Sequence, residues 1–138
     1  MSNKKILIVD DDPDVRLGLH IRLKANHYDA FFAVDGLTSI SEAKKHQPDL
    51  IILDLGLPAG DGFIVLDRLR ANDSLALIPV IVVSGRDLHA NKERALKAGA
   101  KAFLQKPVDN AELLGVIRKV LGETTESEKP LVHDLGEL

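Results

Sequence analysis

Pro48-Asp49-Leu50-Ile51-Ile52-Leu53-Asp54-Leu55-Gly56-Leu57-Pro58-Ala59-Gly60-Asp61-Gly62 decides how this chain is read. Leu50 to Leu53 is an unbroken apolar run, preceded by Pro-Asp and followed by a Gly/Pro-rich stretch. Such a run reads as a strand buried on both faces, as in the middle of a parallel sheet. Asp54 stands where the run stops, so its carboxylate emerges at the carboxyl edge of the sheet, where open α/β sheets bind ligands. Taken alone, Asp54 could equally be a loop acid that caps its own turn. The other strand ends decide between the two.

Working outward toward the N-terminus, Lys5 to Val9 is an Ile/Val-rich strand that runs into Asp10-Asp11-Asp12-Pro13. Asp12 followed by Pro13 is a helix start, an N-cap side chain and then proline at a position whose N–H is not needed. The segment behind it is ambiguous. Val15, Leu17, Leu19, Ile21 and Leu23 alternate as in a half-exposed strand, and Gly18 costs a helix about 1 kcal/mol relative to Ala. The cap and the stripe Val15, Leu19, Leu23, Asn26 favour a helix from Pro13 to about Ala25. Leu17 and Ile21 then face solvent, either as ordinary surface residues or as a partner-docking patch. Tyr28 to Val34 reads as a second strand and Gly36 to about His46 as a helix with Ile40 and Ala43 inward.

Toward the C-terminus, a helix through about Arg70 carries Phe63, Leu66 and Leu69 on one face. Val80 to Val83 is a fourth strand ending in Ser84-Gly85-Arg86-Asp87, and a helix over about Leu88 to Ala98 stops at Gly99, a C-cap residue. Lys101 to Leu104 is a short fifth strand followed by Gln105-Lys106-Pro107. Asp109 caps a last helix to Leu121 with Leu113, Val116, Ile117 and Val120 inward, and Gly122 ends it. Strands alternating with helices predict a doubly wound α/β fold, a five-stranded parallel sheet with right-handed crossovers. The first, third and fourth strands are the most continuously apolar, and the order 2-1-3-4-5 places them centrally. The switch point then falls beside Asp10, Asp11 and Asp54.

The chain has 138 residues, 45% apolar and 28% charged, which suits one globular domain with a real core. It has no cysteine, so disulfides, thiolate metal sites and a cysteine nucleophile are excluded. No signal peptide or membrane span is read, and a cytoplasmic location is expected. Residues 123–138 hold Glu123, Glu126, Glu128, Asp134 and Glu137 against Lys129, a charge of −4 out of a net −3, which leaves the rest at +1. A near-neutral body without a basic stripe predicts no direct nucleic-acid binding.

Asp10, Asp11, Asp54, Ser84 and Lys106 thus converge on one crevice. At about 4 Å and an effective dielectric near 20, each pair of like charges costs roughly 4 kcal/mol. The carboxylates must hold protons or a cation, and an all-oxygen set suits a hard divalent ion, most naturally Mg²⁺. His20, His27, His46, His89 and His133 are scattered without ligand spacing. A metal, a lysine ammonium and the Ser84 hydroxyl together suit a tetrahedral dianion, with Asp54 placed as an in-line carboxylate nucleophile that becomes an acyl phosphate.

The set Val9-Asp10-Asp11-Asp12, Leu53-Asp54-Leu55-Gly56-Leu57-Pro58 with Asp61-Gly62, Val83-Ser84-Gly85 and Gln105-Lys106-Pro107 resembles the receiver domain of bacterial two-component response regulators, chemotaxis receivers among them. The resemblance covers residues 4 to 121 and implies a flavodoxin-like fold of five β/α units. By it, Asp54 matches the phosphoacceptor, which takes a phosphoryl group from a phosphohistidine on a histidine kinase or histidine phosphotransfer protein. Asp11 matches the direct Mg²⁺ ligand, Asp10 a ligand acting mainly through water, and the Gly56 carbonyl the third protein ligand. Ser84 and Lys106 match the pair that contacts the phosphoryl group. Ser84 and Phe103 match the switch pair, the aromatic turning inward on activation, and the Lys106-Pro107 bond matches a cis peptide. Gly56 and Arg86 stand where the family screens the phosphoryl group from water. The resemblance implies a signalling switch rather than a turnover enzyme, read out on the surface of the fourth helix, fifth strand and fifth helix by an output domain, a target protein or a second copy of the chain.

Two readings from other classes compete. An aspartyl-phosphate hydrolase or phosphotransferase usually needs an acid two residues after its nucleophile, and Gly56 stands there. A bare interaction module would not need the full set of Asp10, Asp11, Asp54, Ser84 and Lys106. The expected division is a receiver over 4–122 and an acidic linker or tail over 123–138. Leu131, Val132, Leu135 and Leu138 recur at helical spacing, which favours a module excised from a longer protein over a receiver with one short extra helix.

Overall fold

The computed structural model describes residues 3–58 and 61–123. The sheet holds β1 (Lys4–Val9), β2 (Tyr28–Ala33), β3 (Leu50–Leu53), β4 (Val80–Ser84) and β5 (Ala102–Gln105). Helices α1 (Pro13–Ala25), α2 (Gly36–His46), α3 (Gly62–Ala71), α4 (Leu88–Lys97) and α5 (Asn110–Val120) follow them in turn. All strand pairs are parallel, and the order is 2-1-3-4-5. This is the doubly wound arrangement that the alternating strands and helices predict, with the flavodoxin-like topology that the receiver resemblance implies. The described residues fall into two compact units, one up to Val108 with the sheet and α1 to α4, and one from Asp109 with α5.

Each helix begins for a local reason. Asp12, Asp35, Asp61, Asp87 and Asp109 all stand at N-cap positions, and each carboxylate accepts a backbone N–H from the first turn. A cap of this kind contributes about 1 kcal/mol. At Asp35, the Thr38 backbone N–H and hydroxyl hold the carboxyl below its usual range.

Alternation along the strands divides the core. Leu7, Val9, Ile51, Leu53, Val80, Val82 and Phe103 join Ala43 of α2, Phe63, Leu66 and Leu69 of α3 and Ala95 of α4 in one buried cluster. Ile6, Ile8, Leu50, Ile52, Ile81 and Val83, the alternate residues of the same strands, are also buried. On this second face Val83 lines a cavity with Val15 and Leu19 of α1. The strand period of α1 is therefore misleading: Leu19 and Leu23 are buried, while Leu17 and Ile21 are 58% and 59% exposed. In α5, Leu113 and Ile117 are buried and Val116 and Val120 are half-buried.

Element ends differ from the sequence reading by a residue or so. β2 stops at Ala33, β4 runs on to Ser84, and β5 covers Ala102 to Gln105. The last shift follows from the ladder, in which Ser84 pairs with Gln105. Gly99 and Gly122, read as helix ends, have φ of +111° and +75°, a region glycine enters without cost. The apolar residues from Leu131 onward, and all of the expected tail beyond Glu123, lie outside the described residues.

Candidate functional site

The parallel register brings the carboxyl ends of β1, β3, β4 and β5 to one edge, and four of them deliver polar side chains. Asp10 follows β1, Asp54 follows β3, Ser84 ends β4 and Lys106 follows β5. Asp10, Asp54 and Ser84 are 3%, 8% and 1% exposed, an unusual depth for polar groups. Asp54 is fixed by its own backbone, whose N–H donates to the Val9 carbonyl at 2.9 Å.

Lys106 joins the strands electrostatically. Its Nζ is 2.8 Å from Asp10 Oδ2 and 3.4 Å from Asp54 Oδ2. Burial works to lower the pKa of this ammonium, but the bond to Asp10 and the attraction of Asp54 and Asp10 outweigh burial and raise it. Asp10 Oδ1 accepts the Asp12 N–H at 2.9 Å, and Asp54 Oδ1 accepts the Gly56 N–H at 3.2 Å. Asp10, Asp11 and Asp54 each offer a carboxylate oxygen, all within 4.8 Å of one another. Three carboxylates against one ammonium leave an excess of negative charge, and the donors are hard oxygens. That set fits a divalent cation held by Asp10, Asp11 and Asp54, with the exposed Gly56 two residues beyond Asp54 on its loop.

Ser84 Oγ accepts the Arg86 N–H at 3.2 Å, and the Lys106 N–H donates to the Ser84 carbonyl at 2.8 Å. The hydroxyl and the ammonium thus sit on adjoining strand ends of one ladder. Phe103, pairing with Val82, is 5% exposed and lies inside the core. The Lys106-Pro107 peptide is cis. One contact has no counterpart in the sequence reading: Arg86 Nη2 is 2.6 Å from Asp61 Oδ2. Asp61 caps α3, a role that an acid directly before an apolar helix could have signalled. Its pairing with a residue 25 positions away carries no local signal.

A buried carboxylate, an acidic cluster suited to a cation, an ammonium and a hydroxyl meet at the switch point of a 2-1-3-4-5 sheet, where open α/β sheets bind ligands. Residues 6–118 match the family described as the response regulator receiver domain, and the chain belongs to that family, the phosphorylation-operated switch of two-component signalling.

The chain is 39% identical over 129 residues to the DNA-binding dual master transcriptional regulator RpaA of Synechocystis sp., covering 94% of this chain and 54% of that protein. It is 36% identical over 117 residues to the response regulator PleD of Caulobacter vibrioides, covering 84% of this chain and 26% of that one. The chain therefore spans about half or less of the length of these relatives. Among solved structures, the receiver domain of the Pseudomonas aeruginosa sensor histidine kinase PA1611 superimposes with a TM-score of 0.81 at 27% identity, covering 88% of this chain and all (100%) of that one. That structure has a magnesium ion coordinated in its active site cleft. The Vibrio cholerae chemotaxis response regulator CheY4 gives a TM-score of 0.80 at 26% identity, covering 86% of this chain and 99% of that one. No helix among the described residues is long and apolar enough to cross a membrane.

Proposed function

We propose that Asp54 is the phosphoacceptor of a receiver domain spanning residues 4–122, with residues 123–138 as its tail or linker. The observation that carries this reading is the position of Lys106 Nζ, shared between Asp10 and Asp54 at the switch point. An Asp54 carboxylate oxygen attacks the phosphorus of a phosphohistidine on a histidine kinase or phosphotransfer protein. A P–O bond forms, the P–N bond breaks, and its electron pair stays on the imidazole nitrogen. Asp10, Asp11, Asp54 and the Gly56 carbonyl would hold Mg²⁺, which when bound would neutralise phosphoryl oxygens. Lys106 and the Ser84 hydroxyl contact the remaining oxygens. Gly56 and Arg86 flank the group and govern how long it survives.

The acyl phosphate shifts an existing equilibrium of the domain. Ser84 moves toward the phosphoryl group, Phe103 holds the inward position, and the altered face is that of α4 and β5, where an output domain, target protein or second copy docks. The module works once per phosphoryl group, not as a turnover enzyme, and acts in the cytoplasm. The test is intact-mass measurement after incubation with acetyl phosphate and Mg²⁺. One added phosphoryl group on the wild type and none on Asp54→Asn is the expected result. An adduct that survives in Asp54→Asn, or sustained phosphate release at many turnovers per second, overturns the reading.

A further inference from the structure

Arg86 is tied to the site at one end and held away from it at the other. Its backbone N–H donates to Ser84 Oγ at 3.2 Å, while its guanidinium meets Asp61 Oδ2 at 2.6 Å. Asp61 divides its two oxygens, because Oδ1 accepts the Phe63 N–H at 2.9 Å and caps α3. The bridge is open to solvent, with side-chain exposures of 36% and 39%, so it is screened and weak. Among the described residues, two other cations beside the site are committed. Lys106 is engaged by Asp10 and Asp54, and Arg16 Nη1 donates to the Asp10 carbonyl at 2.9 Å. Two residues beyond Asp54, a Cβ at Gly56 would meet nothing within 4 Å, so the space beside that residue is open.

Phosphorylation replaces the single negative charge of Asp54 by roughly two and adds three acceptor oxygens. A guanidinium fork matches such a group better than it matches one half-exposed carboxylate oxygen. We infer that Asp61 is a positioning residue that parks Arg86 away from Asp54 in the unphosphorylated protein, and that the phosphoryl group on Asp54 competes for the same guanidinium, which then closes over it. The inference rests on Asp54 being the phosphoacceptor. Closure covers the open flank beside Gly56 and slows attack by water, so the strength of the Asp61 tether sets the lifetime of the signal. It also frees Asp61 Oδ2 and loosens the link between the β4–α4 loop and the start of α3.

The lifetime of the acyl phosphate tests this. Wild type, Asp61→Asn, Arg86→Ala and the double variant are loaded with acetyl phosphate and Mg²⁺, desalted, and followed by intact mass. Asparagine caps a helix as well as aspartate, so Asp61→Asn removes the tether and keeps α3. It should lengthen the lifetime by up to about fivefold, the factor a half-exposed ion pair supplies. Arg86→Ala should shorten it, Asp61→Glu should restore wild-type behaviour, and the double variant should match Arg86→Ala. A lengthening by Asp61→Asn that persists without Arg86, or equal lifetimes in all four proteins, overturns the inference while leaving Asp54 as phosphoacceptor. Absence of any adduct on the wild type overturns both.

Discussion

Gly62 is pressed against the backbone of Leu55. Its N–H donates to the Leu55 carbonyl at 2.9 Å, and a methyl group at position 62 would stand 2.5 Å from Leu55 Cα and 2.8 Å from the Asp54 carbonyl oxygen. The start of α3 is thereby packed onto Leu55, the residue after Asp54, and only a residue without a side chain permits the approach. Gly62→Ala should cost about 1–3 kcal/mol, as overpacking against atoms that cannot rotate aside does, and should slow adduct formation with acetyl phosphate because Asp54 must shift. Urea denaturation and the rate of mass gain check the two effects. Gly18→Ala is the control: it lies in a helix interior with open space around it, and should stabilise by about 0.5–1 kcal/mol.

The orientation of α1 gives a second prediction. Leu23→Ala, at a fully buried position, should cost about 2–5 kcal/mol. Leu17→Ser and Ile21→Ser, on the exposed face, should each stay within about 0.5 kcal/mol of wild type. Comparable losses at all three positions in thermal or chemical unfolding would mean that both faces of the helix are covered.

Lys106 Nζ engages carboxylate oxygens of Asp10 and Asp54, two of the groups that would hold a metal. Lys106→Met removes the ammonium 2.8 Å from Asp10 Oδ2 and should tighten Mg²⁺ binding by about tenfold or more, because about 1.4 kcal/mol is a modest part of that attraction. The metal-free variant should be less stable, since Asp10 and Asp54 then repel without a counterion, and Mg²⁺ should recover more of its stability than in wild type. Calorimetric titration with Mg²⁺ and melting with and without it read both effects. An unchanged affinity would show that the ammonium does not hold these oxygens in solution.

Acid should act on the bridge between Asp61 and Arg86. Burial works to raise the Asp61 pKa, but the hydrogen bond from Arg86, the Phe63 N–H and the charges of Arg86 and Arg94 outweigh it and hold the carboxyl below its usual range. A depressed folded-state pKa means that the unfolded chain binds the proton first, so the contribution is complete above about pH 4 and lost as pH falls through the folded value. The stability difference between wild type and Asp61→Asn should therefore shrink below about pH 4, and the shrinkage should be smaller in an Arg86→Ala background. Denaturation curves between pH 2.5 and pH 7 give the comparison.

Much of this was legible because each element states itself locally. The apolar runs of β1, β3 and β4, each followed by a polar residue, marked the central strands, and together with the receiver resemblance they gave the sheet order that places Asp10, Asp54 and Ser84 at one edge. The cap at Asp12 overrode a misleading alternation in α1. What escaped the reading is set by distance along the chain. Whether Ser84 is the last residue of β4 or the first of a loop depends on its partner Gln105, which hydropathy does not encode. Leu75 is 1% exposed within the connection from α3 to β4, where no repeating pattern marks it as core. The pairing of Asp61 with Arg86 joins two loops whose sequences are individually unremarkable loop sequences.

The backbone bond from Lys106 to the Ser84 carbonyl couples the two strand ends that carry the ammonium and the hydroxyl. Neither group can be re-aimed by sliding its strand alone, so the cleft behaves as a caliper of fixed gauge. Side-chain rotation is the remaining adjustment, and a loosened rung would let the ammonium and the hydroxyl drift apart.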